Sequence, residues 1–209
     1  MYDRIPEPTV RRLSAYLRTC EQLVAAGQQS VSSGQLAESI SAGADMVRRD
    51  LSMFGQFGQR GRGYDVAELT TALRMILGTT RDWPMVLVGV GNLGRALMEY
   101  PDFARRGFRI VAAFDNDPDK VGRAYGGVGV QNPDQLEDTI ARCGARLAVL
   151  SVPPSVAEPM ARRLGAAGIQ GILNFATQMV QPIDGVFIDN VDISSYLEHL
   201  SFQVSGLRP

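Results

Sequence analysis

The sequence predicts an α/β protein in which a mostly helical N-terminal region precedes a doubly wound parallel sheet. Beyond residue 80, short apolar runs alternate with helical segments of about ten residues, which is typical of β-α-β units. Before residue 80, apolar residues recur at steps of three and four, as on one face of a helix. Between the two regions, Gly78, Thr79 and Thr80 are typical of a linker.

Four helices are predicted in the N-terminal region. The first has Val10, Leu13, Leu17, Cys20 and Val24 on one face, and the second starts after a pair of serines that are natural N-caps. A glycine-rich loop separates the last two helices. The predicted helices cover residues 9–26, 34–40, 44–53 and 67–77.

The C-terminal region alternates strands with helices. Residues 85–90 are almost entirely apolar, which is typical of a strand that is buried on both faces of a parallel sheet. Strands are predicted over residues 85–90, 108–114, 127–130, 146–152, 171–175 and 186–189. Helices are predicted over residues 92–100, 133–142, 155–168 and 192–204.

Composition excludes several classes of protein. The 209 residues have a net charge of −1, so any nucleic-acid binding must come from a local patch. His199 is the only histidine, and Cys20 and Cys143 are far apart, which argues against a clustered metal site and a disulfide framework. The N-terminus lacks the apolar stretch of a secretory signal, and no apolar run is long enough to span a bilayer. We therefore expect a cytoplasmic protein with no metal and no membrane partner.

A glycine motif lies where the first predicted strand meets the next helix. Gly89, Gly91 and Gly94 match G-x-G-x-x-G, the fingerprint of a Rossmann-type dinucleotide domain. The first glycine permits the turn, the second lets backbone approach a pyrophosphate, and the third lets helix pack closely on strand. The helix N-terminus presents free N–H groups to phosphate. The expected cofactor-binding residues are Gly89, Val90, Gly91, Asn92, Leu93 and Gly94.

Three later strand ends are expected at the same site, because ligands bind at the carboxyl ends of strands in such sheets. Asp115 ends the second strand, where a carboxylate accepts hydrogen bonds from ribose hydroxyls and repels a 2′-phosphate, which favours NADH and NAD+ over their phosphorylated forms. Val152 and Pro153 end another strand. Asn174 ends a third, with a donor and an acceptor for a carboxamide, although an ordinary turn asparagine is an equal alternative.

A dehydrogenase also needs a proton donor or acceptor beside the reacting carbon. His199 falls in the C-terminal helix, Lys120 on the adenosine side, and Tyr100 at the far end of the phosphate-binding helix. None of the three is well placed for proton transfer. The sequence therefore favours a domain that binds a dinucleotide without catalysing a reaction of it, and that has no catalytic residue.

A second signal lies in the N-terminal region. Residues 35–40 and 44–51 have the pattern of a helix-turn-helix, and Arg48 and Arg49 project about 100° apart from its second helix. One arginine can meet base edges while the other meets phosphate. The glycine loop that follows carries Arg60 and Arg62, which suits a wing along the minor groove or backbone. A solvated helix beside an irregular loop is the plainer alternative.

The chain resembles the redox-sensing transcriptional repressors of the Rex family over almost its whole length. The motifs that carry the resemblance are VRRDLSMFG at 47–55, GRGY at 61–64, VGVGNLG at 88–94, FDNDP at 114–118, and AAGI at 166–169 with GILNF at 171–175. The resemblance implies a winged helix-turn-helix DNA-binding domain over residues 1–80 and an NAD(H)-binding Rossmann domain over residues 81–190. It also implies a C-terminal helix over residues 191–209 that is exchanged between the subunits of a dimer.

The resemblance further implies a homodimeric repressor that binds a double-stranded inverted-repeat operator and is released by NADH, while NAD+ competes without releasing it. The DNA-binding residues would be Ser33, Asp45, Arg48, Arg49, Ser52, Arg60 and Arg62. The switch would use Arg12, Tyr100 and Asp192, with Asp192 pairing with Arg12 in one state and with Tyr100 in the other. Asp192 is also a strong candidate for a helix N-cap in its own right. Ile193 stands where some relatives carry a phenylalanine beside the nicotinamide.

Two other functions remain open from the sequence. One is an NAD-dependent oxidoreductase with a helical N-terminal appendage. The other is a module that binds CoA, because the Val152-Pro153 and Gly171-Ile172 stretches also resemble CoA-binding domains that are built on the same sheet.

Overall fold

The computed structural model of this protein describes residues 5–58 and 63–206. The chain forms two compact units, one up to Arg81 and one from Asp82 onward. The division falls next to the predicted linker. The assignment of residues 191–209 as a separate dimerisation domain stays a prediction.

The first unit contains four helices and a two-stranded sheet among its described residues. Strands β1 and β2 are antiparallel, with Ser30 opposite Asp65 and Val31 opposite Tyr64. The four predicted helices are confirmed, whereas the strands were not predicted, because two residues show no alternation. The elements are α1 (Glu7–Ala25), β1 (Ser30–Val31), α2 (Ser33–Glu38), α3 (Ala44–Ser52), β2 (Tyr64–Asp65) and α4 (Val66–Ile76).

Local signals explain where these helices begin. The Ser32 side chain accepts from the Gln35 N–H, and the Gln35 side chain accepts from the Ser32 N–H, which makes a capping box at α2. Asp65 caps α4 in the same way, by accepting from the Glu68 N–H. Helix α1 begins two residues earlier than predicted, because Pro8 occupies the first turn, where a missing N–H leaves no hydrogen bond unmade.

One apolar core holds the first unit together. The predicted face of α1 is confirmed at Leu13, Leu17 and Cys20, but Val10 and Val24 are exposed at its ends. Tyr16 is fully buried beside this face. The core also includes Val31, Leu36, Val47, Leu51, Leu69 and Leu73, which come from β1 and the other three helices.

The second unit is a seven-stranded sheet with helices packed against it. Its strands are β3 (Trp83–Val88), β4 (Phe108–Phe114), β5 (Ala124–Tyr125), β6 (Val128–Gln131), β7 (Leu147–Leu150), β8 (Gly171–Asn174) and β9 (Phe187–Asn190). Its helices are α5 (Asn92–Met98), α6 (Pro101–Arg105), α7 (Leu136–Cys143), α8 (Pro154–Ala166) and α9 (Ile193–Val204).

The order of the strands is β5-β6-β4-β3-β7-β8-β9. Every neighbouring pair is parallel except β5 and β6. From β3 the chain builds one half of the sheet through β4 and β6, and then returns to the other side of β3 through β7, β8 and β9. The order therefore reverses between β3 and β7, which is where doubly wound sheets bind ligands. The predicted α/β fold with a doubly wound parallel sheet is confirmed.

Two helices differ from their predicted bounds at a proline. The helix predicted over residues 92–100 ends at Met98, and a separate helix α6 begins at Pro101, because the residue before proline, Tyr100, is extended. The helix predicted from residue 133 opens as a 3₁₀ turn over Pro133–Gln135 before α7. Within residues 5–58 and 63–206, no helix is both long and apolar enough to cross a membrane.

Candidate nucleotide pocket and DNA-reading surface

A cavity of about 620 Å³ opens at the carboxyl ends of β3, β4 and β7, at the reversal of strand order. Its polar side comes from the turns that follow these strands, and its apolar side comes from the start of α8. The lining residues are Val88, Gly89, Gly91, Phe114, Asp115, Asn116, Lys120, Pro133, Ser151, Val152, Pro153, Val156 and Met160. The predicted residues Val152 and Pro153 are therefore beside the glycine turn.

The three glycines of the turn have different reasons to lack a side chain. A Cβ on Gly89 would lie 2.3 Å from the Ser151 carbonyl oxygen, and Gly89 has a φ of +96°. A Cβ on Gly94 would lie 2.1 Å from the Gly89 carbonyl oxygen. A Cβ on Gly91 would meet nothing within 4 Å. The fold thus requires glycine at 89 and 94, whereas at 91 it leaves open space beside the cavity.

Ser151 fixes the glycine turn to β7. Its hydroxyl donates to the Gly89 carbonyl oxygen at 2.7 Å, and its backbone N–H donates to the Val88 carbonyl oxygen at 2.9 Å. Sequence reasoning missed Ser151 as a site residue. Its place directly before the predicted site residues Val152 and Pro153 was the available signal.

Asp115 is buried beneath the turn. Its carboxylate accepts from the Val90 N–H at 2.7 Å, the Asp117 N–H at 2.9 Å and the Lys120 ammonium at 3.1 Å. Burial alone would raise the pKa of Asp115, but these hydrogen bonds outweigh it and hold the pKa below its ordinary value. Asp115 lines the cavity as an anion, as a ribose acceptor must. The same contacts make it a support of the turn, which the sequence did not indicate.

The remaining turn residues differ in what they offer. The Val90 side chain is fully buried in the core, and its N–H is already donated to Asp115, so the expected contact between Val90 and a phosphate stays a prediction. Asn92 is the first residue of α5, after Gly91 as N-cap. Leu93 is exposed on that helix.

Asn174 has a structural use at the end of β8. Its amide nitrogen donates to the Gln178 carbonyl oxygen at 2.9 Å and to the Asn190 side chain at 2.8 Å, and its oxygen accepts from the Ala176 N–H. These contacts join the ends of β8 and β9. Both amide hydrogens are used within the chain, as the turn-asparagine alternative expects, and a contact with a carboxamide stays a prediction.

The expected switch residues Tyr100 and Asp192 are exposed. Tyr100 packs edge-on against Phe103, with ring centroids 5.1 Å apart. Asp192 caps α9 by accepting from the N–H groups of Ser194 and Ser195. Ile193 is the first residue of α9 and is exposed, as is every other residue of that helix.

Arg12 is held inside the first unit. Its guanidinium makes two parallel hydrogen bonds to Asp50, from Nε to Oδ2 at 2.6 Å and from Nη2 to Oδ1 at 2.7 Å. Tyr16 donates to the same carboxylate at 2.9 Å, and Thr9 at 3.3 Å. Burial would raise the pKa of Asp50, but its hydrogen bonds with Arg12 and Tyr16 lower it overall. Asp50, one of the two acids of the arginine-bearing helix, is thus neutralised from α1.

The arginines of α3 face outward. Arg48 donates to the Ser33 hydroxyl at 2.6 Å and forms an ion pair with Asp45 on the same helix. Arg49 is exposed. A groove of about 830 Å³ lies beside α3, between its arginine and the loop that follows. The groove is lined by Ser32, Ser33, Arg48, Leu51, Ser52, Gly55, Gln56, Phe57, Gly58, Gly63 and Tyr64.

Backbone atoms lie close together at the base of the loop that was predicted as a wing. A Cβ on Gly58 would lie 2.3 Å from the Gly63 carbonyl oxygen, and a Cβ on Gly63 would lie 2.5 Å from the Val31 carbonyl oxygen. Gly63 therefore lies directly against β1, and Gly58 lies directly against Gly63. The predicted wing residues Arg60 and Arg62 lie outside the described residues.

Comparison with known proteins gives both units a family. A model of putative DNA-binding protein N-termini matches residues 4–52, and a model of the CoA binding domain matches residues 80–178. The redox-sensing transcriptional repressor Rex of Rhodopirellula baltica is 45% identical to this chain, over 95% of the chain and 84% of the relative. Rex 1 of Thermotoga maritima is 40% identical over 98% of both chains. The chain belongs to the Rex family.

Solved structures agree with this assignment. A crystal structure of RSP in complex with β-NAD+ and operator DNA matches with a TM-score of 0.90 and 35% identity, over 96% of this chain and 93% of that chain. RSP in complex with β-NADH matches with a TM-score of 0.88 and 33% identity, over 97% and 95%. The resemblance to Rex repressors in the sequence is confirmed. The CoA-binding model covers six of the seven strands of the sheet, β3 to β8.

Proposed function

We propose that this Rex-family protein represses transcription from an operator in double-stranded DNA and senses the ratio of NADH to NAD+. The observation that carries the proposal is the pairing of two sites on one chain. One is the arginine-bearing surface of α3, and the other is the cavity at the glycine turn, where Gly91 leaves space that the fold itself does not need. Rex relatives are named for this function, and RSP has been crystallised with β-NAD+, β-NADH and operator DNA.

In this proposal, the cavity binds the dinucleotide with its pyrophosphate at Gly91 and its adenosine towards Asp115. The apolar side formed by Val152, Pro153, Val156 and Met160 suits the flat face of an adenine ring. The buried carboxylate of Asp115 accepts from a ribose hydroxyl. A 2′-phosphate would meet this anion, which favours NADH over NADPH.

The DNA half of the proposal places α3 in the major groove. Arg48 and Arg49 reach outward from adjacent positions, so one can meet a base edge while the other meets phosphate. The ion pair with Asp45 and the hydrogen bond to Ser33 fix the position of the Arg48 guanidinium beside the protein groove that runs along α3. Ser52 lines the same groove. We place Arg60 and Arg62 on the DNA as the arginines of the wing.

We further propose that the working form is a homodimer in the cytoplasm, with α9 exchanged between subunits. The support is the set of exposed apolar side chains on this helix, of which Ile193, Tyr196, Leu197, Leu200 and Val204 share one face and Phe202 lies on the other. Two reading helices at one fixed spacing match an inverted repeat, with half-sites about 34 Å apart or a multiple of it. In the switch, Arg12 would exchange Asp50 for Asp192, and Tyr100 would take Asp192 in the other state.

The proposal gives the cavity no catalytic role. Among the cavity-lining residues, Lys120 is held by Asp115 and Asp117, and no histidine is present. Moving the dimer completely from one state to the other requires NADH to prefer its own state by about 5.5 kcal/mol. Operator DNA must then weaken NADH binding by the same factor.

A competition titration tests the nucleotide half against the alternative of a CoA-binding module. Energy transfer from Trp83, the only tryptophan, to the reduced nicotinamide reports NADH binding, and NAD+ or CoA is then added as a competitor. We expect NAD+ to displace NADH and CoA to compete far more weakly. Tighter binding of CoA than of NADH would contradict the proposal.

Arginine variants test the DNA half. Arg48→Ala and Arg49→Ala are expected to abolish binding of the protein's own promoter DNA while NADH affinity stays within twofold, because the two sites lie in separate units. Binding is measured by gel shift with labelled promoter DNA, and NADH affinity by the Trp83 signal. Loss of both affinities together would mean that the fold was damaged, whereas retained DNA binding would show that α3 does not read the operator.

A further inference from the structure

Lys120 is the only lysine of the chain and lines the nucleotide cavity. Its ammonium lies 3.1 Å from Asp115 Oδ2 and 3.3 Å from Asp117 Oδ2, and its side chain is 24% exposed. The sequence placed Lys120 on the adenosine side but gave it no role. The hydrogen bond to Asp115 raises the pKa of Lys120, so the group is a cation at neutral pH.

The Asp115 carboxylate has too few free acceptor positions to bind both hydroxyls of a ribose. An ionised carboxylate has about four acceptor positions. The Val90 N–H, the Asp117 N–H and the Lys120 ammonium use three of them. Roughly one position is left, although the adenosine ribose of NADH has two free hydroxyls. Lys120 has three N–H donors, of which Asp115 and Asp117 take two.

We propose that Lys120 is a specificity-determining residue that donates to one ribose hydroxyl of the adenosine while Asp115 accepts from the other. This inference rests on the proposed binding of NADH. The carboxylate and the ammonium form one recognition pair, and each supplies the half of the hydrogen bonding that the other lacks.

The same ion pair controls the response to a 2′-phosphate. Asp115, Asp117 and Lys120 carry a net charge of −1 in this corner of the cavity, so the lysine charge is already matched by carboxylates. Removing the charge of Asp115 leaves Lys120 with only Asp117 and turns the ammonium into a partner for a phosphate. Preference for NADH therefore depends on the pairing of Lys120 and not on the presence of Asp115 alone.

A double-mutant cycle on the full-length protein tests this pairing. The Kd values of NADH and NADPH are measured for the wild type, Lys120→Met, Asp115→Asn and the double variant, and circular dichroism confirms that each is folded. We expect Lys120→Met to weaken NADH about tenfold, which corresponds to one charge-assisted hydrogen bond. Asp115→Asn is expected to raise the affinity for NADPH relative to NADH at least tenfold, and the double variant is expected to lose that gain. Arg123→Met, which removes an exposed cation outside the cavity lining, is the matched control and is expected to change neither Kd.

Unchanged NADH affinity in Lys120→Met would overturn the inference, as would an NADPH gain that survives in the double variant. If Lys120→Met does not fold, a wild-type protein labelled with [¹³C]lysine decides the question, since Lys120 gives its only lysine side-chain signal. That signal is expected to shift on saturation with NADH, and a signal that does not move contradicts the contact. A wild type that binds no NADH would defeat the proposed function itself, which separates the two failures.

Discussion

Asp50 lies on the helix that carries Arg48 and Arg49, yet its side chain is only 2% exposed. Arg12 and Tyr16 donate to it from α1. Removing the Asp50 carboxylate is costly, because the Arg12 guanidinium, whose side chain is only 26% exposed, is then left without its ionic partner. Asp50 therefore fixes the orientation of the helix that we propose reads DNA.

We expect Asp50→Asn to destabilise the first unit by about 3 kcal/mol, since Arg12 would keep its charge and lose its ionic partner. Urea unfolding followed by far-UV circular dichroism measures this change. Asp45→Asn is the matched control on the same helix, because Asp45 is 93% exposed and its ion pair with Arg48 contributes no more than about 0.5 kcal/mol. Equal, small effects of the two substitutions would show that the Asp50 cluster does not hold α3.

The comparison of wild type with Asp50→Asn also predicts how the unfolding free energy depends on pH, with a defined sign. The pKa of Asp50 is lower in the folded protein than the value of about 3.9 for an unfolded chain. Its stabilising contribution is therefore fully present above the unfolded pKa and is lost as pH falls through the lowered folded pKa. The difference in unfolding free energy between wild type and Asp50→Asn should be constant from pH 7 to about pH 5 and shrink below pH 4. A difference that grows on acidification would contradict this assignment.

Single residues could be predicted from the sequence when their neighbours in the chain define them. Asp115 was identified because it ends a strand after a glycine turn. The pairing of Arg12 with Asp50 joins residues 38 positions apart, and the bond from Ser151 to Gly89 joins residues 62 apart. No local pattern marks such contacts, since they exist only once the elements have packed.

At the scale of elements, the turn between β3 and α5 separates what the fold needs from what a ligand needs. Gly94 allows the helix to approach the Gly89 carbonyl, and an added Cβ would lie 2.1 Å from that oxygen. Gly91 has a φ of −79°, which any residue adopts, and open space around its missing Cβ. We therefore infer that glycine at 91 serves the proposed nucleotide, since the fold does not require it.

We expect Gly91→Ala to keep the fold and weaken NADH at least tenfold, because the new methyl group would occupy the space of the pyrophosphate. Gly94→Ala is the contrasting variant, and we expect it to lower the thermal stability of the second unit as well. Melting curves and the Trp83 titration measure the two effects separately. Full NADH affinity in Gly91→Ala would place the pyrophosphate elsewhere.

Most helices and strands were predictable because their apolar spacing is regular over at least one turn or several alternations. The short strands β1, β2 and β5 are two residues long and show no spacing at all. The break between α5 and α6 was missed, although Pro101 was its signal. Proline favours an extended conformation in the residue before it, so the predicted helix could not continue through Tyr100.

At the scale of the whole molecule, α9 leaves its apolar side chains exposed in a single chain. Burying them in a partner would gain roughly 25 cal/mol for each Å² of apolar surface removed from water. A helix of this kind fits a dimer better than a monomer. The partner could not be derived from periodicity, because an amphipathic helix shows which face is apolar but not which molecule covers it.

A charged substitution in α9 tests the dimer. We expect Leu197→Asp to shift the protein from dimer to monomer in analytical ultracentrifugation, because a buried carboxylate without a partner opposes association. Glu198→Gln, on the neighbouring exposed position, is the control and is expected to remain dimeric. If wild type and Leu197→Asp sediment alike, the exchange of α9 is wrong.

The proposed function couples the two units: a nucleotide bound in one controls the affinity of the other for DNA. Linkage makes this coupling reciprocal, and about 1.4 kcal/mol of preference gives a tenfold change in affinity. The most direct measurement is a gel shift of wild-type protein on its own upstream promoter DNA, with NADH and NAD+ titrated in parallel. We predict that NADH releases the DNA and that excess NAD+ restores the complex, whereas a shift that is unchanged by NADH would contradict redox sensing by this protein.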